Sequence, residues 1–594
     1  MESELWVHGN ANFPPCGRVL GATLAGLTFL ALGGCADVAR TQTGPEPTSV
    51  AEELINSDGL LAHIRVLASD EFEGRSPGTV GETRTIEYLD GQFRALGLKP
   101  AAPDGSFHQE VPLTGHRSSA QVEIDVGGQP QAQRIPEDMV AWSYARAPEM
   151  HIEKSDLVFV GYGVIAPEYG WDDYKGQDLR GKTLVMLIND PQIPDPNDPA
   201  RLDESMFKGK AMTYYGRWTY KFEMAARLGA AAAIIVHETA MAAYPYSVVV
   251  NSNSGENFDI NTGQPNPDFP PVAAWMSNEA ARRLFASTGR DFDELKRSAL
   301  RRDFHPVPLG ARASFTVHNT WHDLHSANAV AWLEGSDPSC RNEVVVISAH
   351  WDHFGWNPAL PGSKHEQIFH GALDNASGVG ALLEIARAFR ALPQAPRRSI
   401  LFLATTAEER GLLGARYYVD HPLAPLIQTA ADINIDMMNP WGRTHDVEIV
   451  GYGNSTLEDL ASGAARAQGR VTVPEAHPER GSFYRADHFE FAKAGVPALY
   501  LGLGREFPGH DEDFGDRMRN EFTALRYHKV TDTVDSQWDL SGAVDDTRLM
   551  FRVARIVADT GALPQWRAGA EFARNREESL RRFAQTSAAA GSCK

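Results

Sequence analysis

Cysteine is scarce in this chain: four in 594 residues, Cys16, Cys35, Cys340 and Cys593. None falls in the stretches that carry chemistry, which excludes thiolate ligation and leaves only histidine and carboxylate donors. Positive charge is also in deficit. A formal net charge of −21 at pH 7 argues against a nucleic-acid partner and for a soluble acidic surface. Long apolar runs are missing too. Val19 to Leu32 has the length of a signal h-region and is short for a helix that crosses a bilayer. There is no internal repeat. What is present in quantity is core-forming material: 43% hydrophobic residues, and enough length for two or more domains.

The informative stretch is Val344 to His353, VVVISAHWDH. Its β-branched run reads as a buried strand ending in His350-Trp351-Asp352. A histidine there can ligate a metal, and an aspartate two residues on can orient it. Alone, a strand-end histidine is an ordinary hydrogen-bonded residue. The pattern recurs, however. Gly371 to Gly378, GALDNASG, opens a helix expected over Val379 to Leu392. Ser399 to Ala407 reads as a second buried strand running into Glu408-Glu409. Ala430 to Ile435 ends in Asp436, and Tyr527-His528 comes late. Three strand-like runs thus end in donors, and two loops add an aspartate and a histidine. That is where an open α/β sheet builds its site.

As an ordered set, these motifs resemble the zinc aminopeptidases of the M28 peptidase family, co-catalytic two-zinc exopeptidases. The resemblance implies an α/β fold: a mixed, largely parallel sheet flanked by helices, with an inserted β-rich protease-associated domain. It also divides the ligands, with His350 and Asp436 on one ion and Glu409 and His528 on the other. Asp374, a short side chain at a glycine-flanked turn, is the candidate bridge. Two ions sharing one water provide a nucleophile at neutral pH and stabilise a developing oxyanion. Histidine and oxygen ligands suit two Zn2+, with Co2+ or Mn2+ able to substitute. In the family the first glutamate of the pair is the general base, here Glu408, and Asp352 holds His350. Tyr484 or Tyr527 is expected to donate to the oxyanion, Tyr527 ahead of Tyr484. Ala486 stands where the family often has serine, before Asp487-His488, which read as structural support.

The address lies at the start. Leu32-Gly33-Gly34-Cys35 looks like a bacterial lipobox, so residues 1–35 are expected to be a lipoprotein signal peptide, with Cys35 lipid-bearing and the only membrane attachment. That implies an exported, cell-envelope protein, facing the periplasm from the outer membrane in a Gram-negative source. An oxidising compartment would allow Cys340 and Cys593 to pair. Residues 36–130 are expected to hold a linker and the first part of the peptidase domain, including a solvated loop at Ser69 to Gly78. Residues 131–308 show short β-runs punctuated by glycine and proline. The passage Tyr220 to His237 resembles a protease-associated domain. Tyr214, Tyr215, Trp218 and Tyr220 read as core aromatics. His237, Glu238 and Asp190 read as structural. Residues 309–564 complete the catalytic domain, and 565–594 form a polar helical tail without recognisable chemistry.

The expected partners are peptides with a free N-terminus, since a carboxylate-rich site favours a cationic amine. Arg485 and Arg505 keep a carboxypeptidase or dipeptidase of the same fold open. An inactive binding protein, or a zinc enzyme like glutaminyl cyclase, are the remaining alternatives.

Overall fold

The computed structural model describes residues 50–253 and 255–586. The expected signal segment, with Cys16 and Cys35, and the terminal Cys593 lie outside the described residues. Among the described residues no helix is long and apolar enough to cross a membrane.

Val344–His350 is a strand buried at every position. It runs parallel to Ser399–Thr405 on one side and to Thr429–Asn434 on the other. Ala498–Gly502 extends the parallel set; Asp446–Ile449 and Val471–Pro474 follow beyond it. Because helices cover both faces, the strand does not alternate apolar with polar. Val345, Ile347 and Ala349 pack with residues of the helices Ser57–Leu67, Ser377–Arg390 and Ser541–Asp559. Val344 and Val346 pack with Tyr418 and Phe491 on the opposite side. Each such side chain contributes about 1.5–3 kcal/mol by leaving water.

A strand of 27 residues, Val307–Leu333, precedes the His350 strand. Its last residues pair antiparallel with Ser399–Thr405, so it lies one place away from the His350 strand. Its first half pairs with His108–Val126 and Glu149–Phe159. There it enters a second core, where Glu149–Phe159, Thr183–Leu187, Ala232–Val236 and Val272–Met276 lie parallel in turn. The second core takes side chains from Val122 to Val317, reaching past both ends of the segment 131–308. Two strands run unbroken between the cores, making one sheet of 16 strands.

Within the loop Ser69 to Gly78, Asp70 and Glu71 are exposed, but Arg75 is fully buried. Its guanidinium donates to the carbonyls of Leu67, Trp351, His370 and Gly371 at 2.7–2.9 Å. The first helical layer is thereby tied to the segments on either side of the candidate site. The tail forms a helix, Ala573–Thr586. Glu571 joins the two cores, accepting from the Tyr214 amide at 3.1 Å and from the Tyr484 hydroxyl at 2.7 Å.

Arg75→Met would leave four buried carbonyls without a donor. We expect a loss of about 3 kcal/mol or more in urea unfolding; a change below about 1 kcal/mol would rule out the latch.

Candidate metal centre

The expected donors come from two sources: the carboxyl ends of parallel strands, and turns next to helices. His350 closes its own strand, and Asp436 lies two residues past Thr429–Asn434. Glu408 and Glu409 are not on a strand end. They occupy a 3-10 turn, Glu408–Arg410, entered through Ala407 with φ 52°. This turn sets the directions of their side chains. Asp374 lies in an irregular turn, Ala372–Ala376, leading into the helix Ser377–Arg390. His528, with φ 56°, follows the helix Phe514–Leu525.

The fold brings these side chains into one cluster around Asp374, which is 3% exposed. Its Oδ1 is 3.3 Å from His350 Nε2, and Asp436 Oδ1 is 3.4 Å from the same nitrogen. Its Oδ2 is 3.3 Å from His528 Nε2, and Glu409 Oε2 is 3.2 Å from that nitrogen. One carboxylate therefore turns an oxygen to each of two trios. These spacings match a metal centre. Two donors about 2.0–2.1 Å from one tetrahedral ion lie about 3.3 Å apart.

The same criterion sorts the other histidines. His353 lies with Asp374 and Glu409 in a group whose donor atoms fall within 4.8 Å of one another. Its Nδ1, however, is 2.6 Å from Glu409 Oε1, a hydrogen-bond length, so His353 orients Glu409. His365 Nδ1 and His370 Nε2 stand 2.7 and 2.8 Å from the same Asp70 oxygen, again hydrogen bonds.

Charge supports the fit. Burial, together with Asp436, Glu409 and Asp487, holds the Glu408 carboxyl well above its ordinary range. Burial and Asp374 push Glu409 up to about 8. So many buried carboxylates call for cations. Glu408 Oε2 is 3.9 Å from His350 Nε2, beside the cluster. Asp352 is placed less simply than expected. Its Oδ1 accepts from the Glu408 amide at 3.0 Å and stands 3.7 Å from His350 Nδ1, whose closer contact is the Asp352 carbonyl at 3.2 Å.

Several supports were not singled out in the sequence. Asp532 accepts from the amides of Leu373 and Asp374 at 3.1 Å, fixing the Asp374 backbone. Asn375 donates to Ile435 O at 2.9 Å and accepts from the Met437 amide at 3.1 Å, tying that turn to the Asp436 strand. Gly371 is required: a Cβ there would come within 2.7 Å of Arg75 Nη2 and His353 Cγ, at φ 54°. Asp532 had one available signal, its place four residues after His528. The others had none, since their partners are remote in sequence.

The structure also separates the two tyrosines. The Tyr484 hydroxyl is committed to Glu571. The Tyr527 ring stacks on His528 with centroids 3.8 Å apart, and its phenol meets Arg485. Asp487 and His488 are buried beneath the site; Asp487 accepts from Thr405 Oγ1, and His488 packs 5.0 Å from Tyr500. Arg505 is bound by Asp516 and Glu448. The second core reaches the site region through Tyr244, whose ring lies 5.7 Å from the Arg485 guanidinium; Phe258, in a separate small cluster with Ala407 and Leu413, lies 5.8 Å from that of Arg410.

Residues 328–552 match the model of Peptidase family M28. Aminopeptidase YwaD of Bacillus subtilis is 32% identical over 159 residues, 26% of this chain and 30% of the relative. A protein of Pyrenophora teres f. teres described as "Probable zinc metalloprotease" is 36% identical over 247 residues, 40% of this chain and 48% of its own. The chain spans less than half the length of the curated relatives it matches. Among solved structures, an aminopeptidase from Aneurinibacillus sp. strain AM-1 aligns over 86% of this chain and 96% of its own, with TM-score 0.47 and 18% identity.

His353→Ala removes the hydrogen bond that aims Glu409. Chelator competition is expected to show metal affinity lowered about 10–100-fold at one site and little changed at the His350–Asp436 site. Equal weakening of both, or of neither, would contradict this geometry.

Proposed function

We propose that this chain, whose region 328–552 belongs to peptidase family M28, is a zinc-dependent aminopeptidase that works with two ions. The observation that carries the reading is Asp374, with one oxygen 3.3 Å from His350 and the other 3.3 Å from His528. His350, Asp436 and Asp374 would hold one ion, and Glu409, His528 and Asp374 the other. Bound zinc supplies a Lewis acid for the scissile carbonyl and lowers the pKa of water. Co2+ or Mn2+ would fit the same donors.

The remaining work falls to the chain. Glu408, fixed through its amide by Asp352, takes the proton of the attacking water and passes it to the departing amine. Tyr527 is placed by its stack on His528 to donate to the carbonyl oxygen as charge develops there. The segment that carries Tyr244 and Phe258 forms a protease-associated domain that walls the cleft. Cys340 is disulfide-bonded, which fits an exported protein in an oxidising compartment. Attachment to the membrane is through lipid on Cys35.

Glu408→Gln is expected to lower kcat about 100- to 10,000-fold on aminoacyl-anilides, while metal analysis still finds two zinc ions per chain. Full activity in that variant would discard the assigned role. Cleavage of N-acetylated dipeptides as readily as free ones would discard the aminopeptidase assignment.

A further inference from the structure

The buried guanidiniums of this chain are answered. Arg75 meets four carbonyls, Arg398 meets Glu343 at 2.6 Å, and Arg470 meets Asp546 at 2.7 Å. Two arginines beside the metal centre depart from that rule. Arg485 and Arg217 are only partly exposed, yet neither forms an ion pair with a carboxylate among the described residues. The strongest electrostatic neighbours of Arg485 are tyrosines: Tyr527, Tyr244 and Tyr500. Those of Arg217 are Arg485 itself, then Tyr244, Tyr214 and Tyr484. Burial and the neighbouring Arg485 charge pull the Arg217 guanidinium down to about 10. Tyr214, three residues before Arg217, has its ring 6.1 Å from that of Tyr484, the residue before Arg485, so the two segments meet. Two like charges drawn together there without an anion are unfavourable on their own. An anion arriving from outside would relieve the repulsion.

Their position matters. Arg485 hydrogen-bonds Tyr527, and Tyr527 stacks on His528. Tyr500, a second neighbour, donates to the Asp436 carbonyl at 3.3 Å. The guanidinium of Arg485 is thus one side chain removed from residues of both trios. Arg217 comes from the other core, at the start of the helix Trp218–Arg227. Guanidinium forks match carboxylates in geometry as well as in charge.

We propose that Arg485 and Arg217 form a carboxylate-binding subsite beside the metal centre, built across the seam between the two cores. This rests on the peptidase reading and narrows it: the preferred substrates carry a carboxylate within one residue of the scissile bond. The carboxylate is either an acidic side chain on the N-terminal residue or the free C-terminus of a dipeptide. Two substrate pairs on the metal-loaded full chain separate these sources. Glutamyl- against glutaminyl-anilide tests the side chain, and leucyl-glycine against leucyl-glycinamide tests the terminus.

The deciding measurement does not need turnover. Calorimetry would compare glutarate with glutaramide on the metal-loaded wild type, Arg485→Gln, Arg217→Gln and Arg485→Lys. We expect glutarate to bind the wild type roughly ten-fold or more tightly, with that advantage lost in both glutamine variants and partly kept in the lysine variant. Unfolding temperatures and metal content of the variants provide the folding control. No advantage in the wild type overturns the subsite. So does an advantage that survives both glutamine variants, since the metals alone would then be holding the anion. Binding as expected with no hydrolysis of any substrate would leave the subsite standing and remove the peptidase reading instead.

Discussion

The rest of the site depends on one buried carboxylate being held where each of its oxygens faces a different imidazole. Asp374 cannot do this by its own preferences. Asp532 accepts from its amide, and Asn375 binds the turn to the strand that delivers Asp436. Arg75 grips the preceding carbonyls of His370 and Gly371. A side chain so constrained keeps the two trios at a fixed separation. Loosening any of these contacts would move both trios at once.

The sheet provides the wider constraint. Parallel strands covered on both faces are long apolar runs, and their carboxyl ends are where the chain first becomes polar. His350 ends one such strand, Asp436 lies two residues past another, and the turn carrying Glu408 and Glu409 follows a third. Their meeting therefore follows from packing that has nothing to do with catalysis. The cost of gathering carboxylates is visible in Glu408, held well up by burial, Asp436 and Glu409, and in Glu409, pushed up by burial and Asp374.

The second core is joined to the first by continuous strands, not by a flexible linker. Val307–Leu333 contributes Phe315 and Val317 to one core and Ala329 and Ala331 to the other. The seam is further closed by Glu571, which binds Tyr214 on one side and Tyr484 on the other. Tyr244 and Arg217 thus reach Arg485 from a stiff support. Glu571, from the polar tail, thus ties Tyr214 to Tyr484.

What could be read from the residues alone was whatever is local. A β-branched run ending in a donor announces a strand and its polar end within ten residues, so His350, Glu409 and Asp436 were legible in order, along with the parallel α/β architecture. The family resemblance supplied the pairing of donors, which spacing by itself does not contain. The 3-10 turn that carries Glu408 and Glu409 was not legible, because it leaves no mark at the end of an apolar run. Arg75, His353, Asn375 and Asp532 acquire their meaning only from partners distant along the chain, as do the unanswered charges of Arg217 and Arg485. Periodicity reports which face of an element is buried. Which remote carbonyl, carboxylate or ring lies against that face is decided when the sheet closes and the two cores meet.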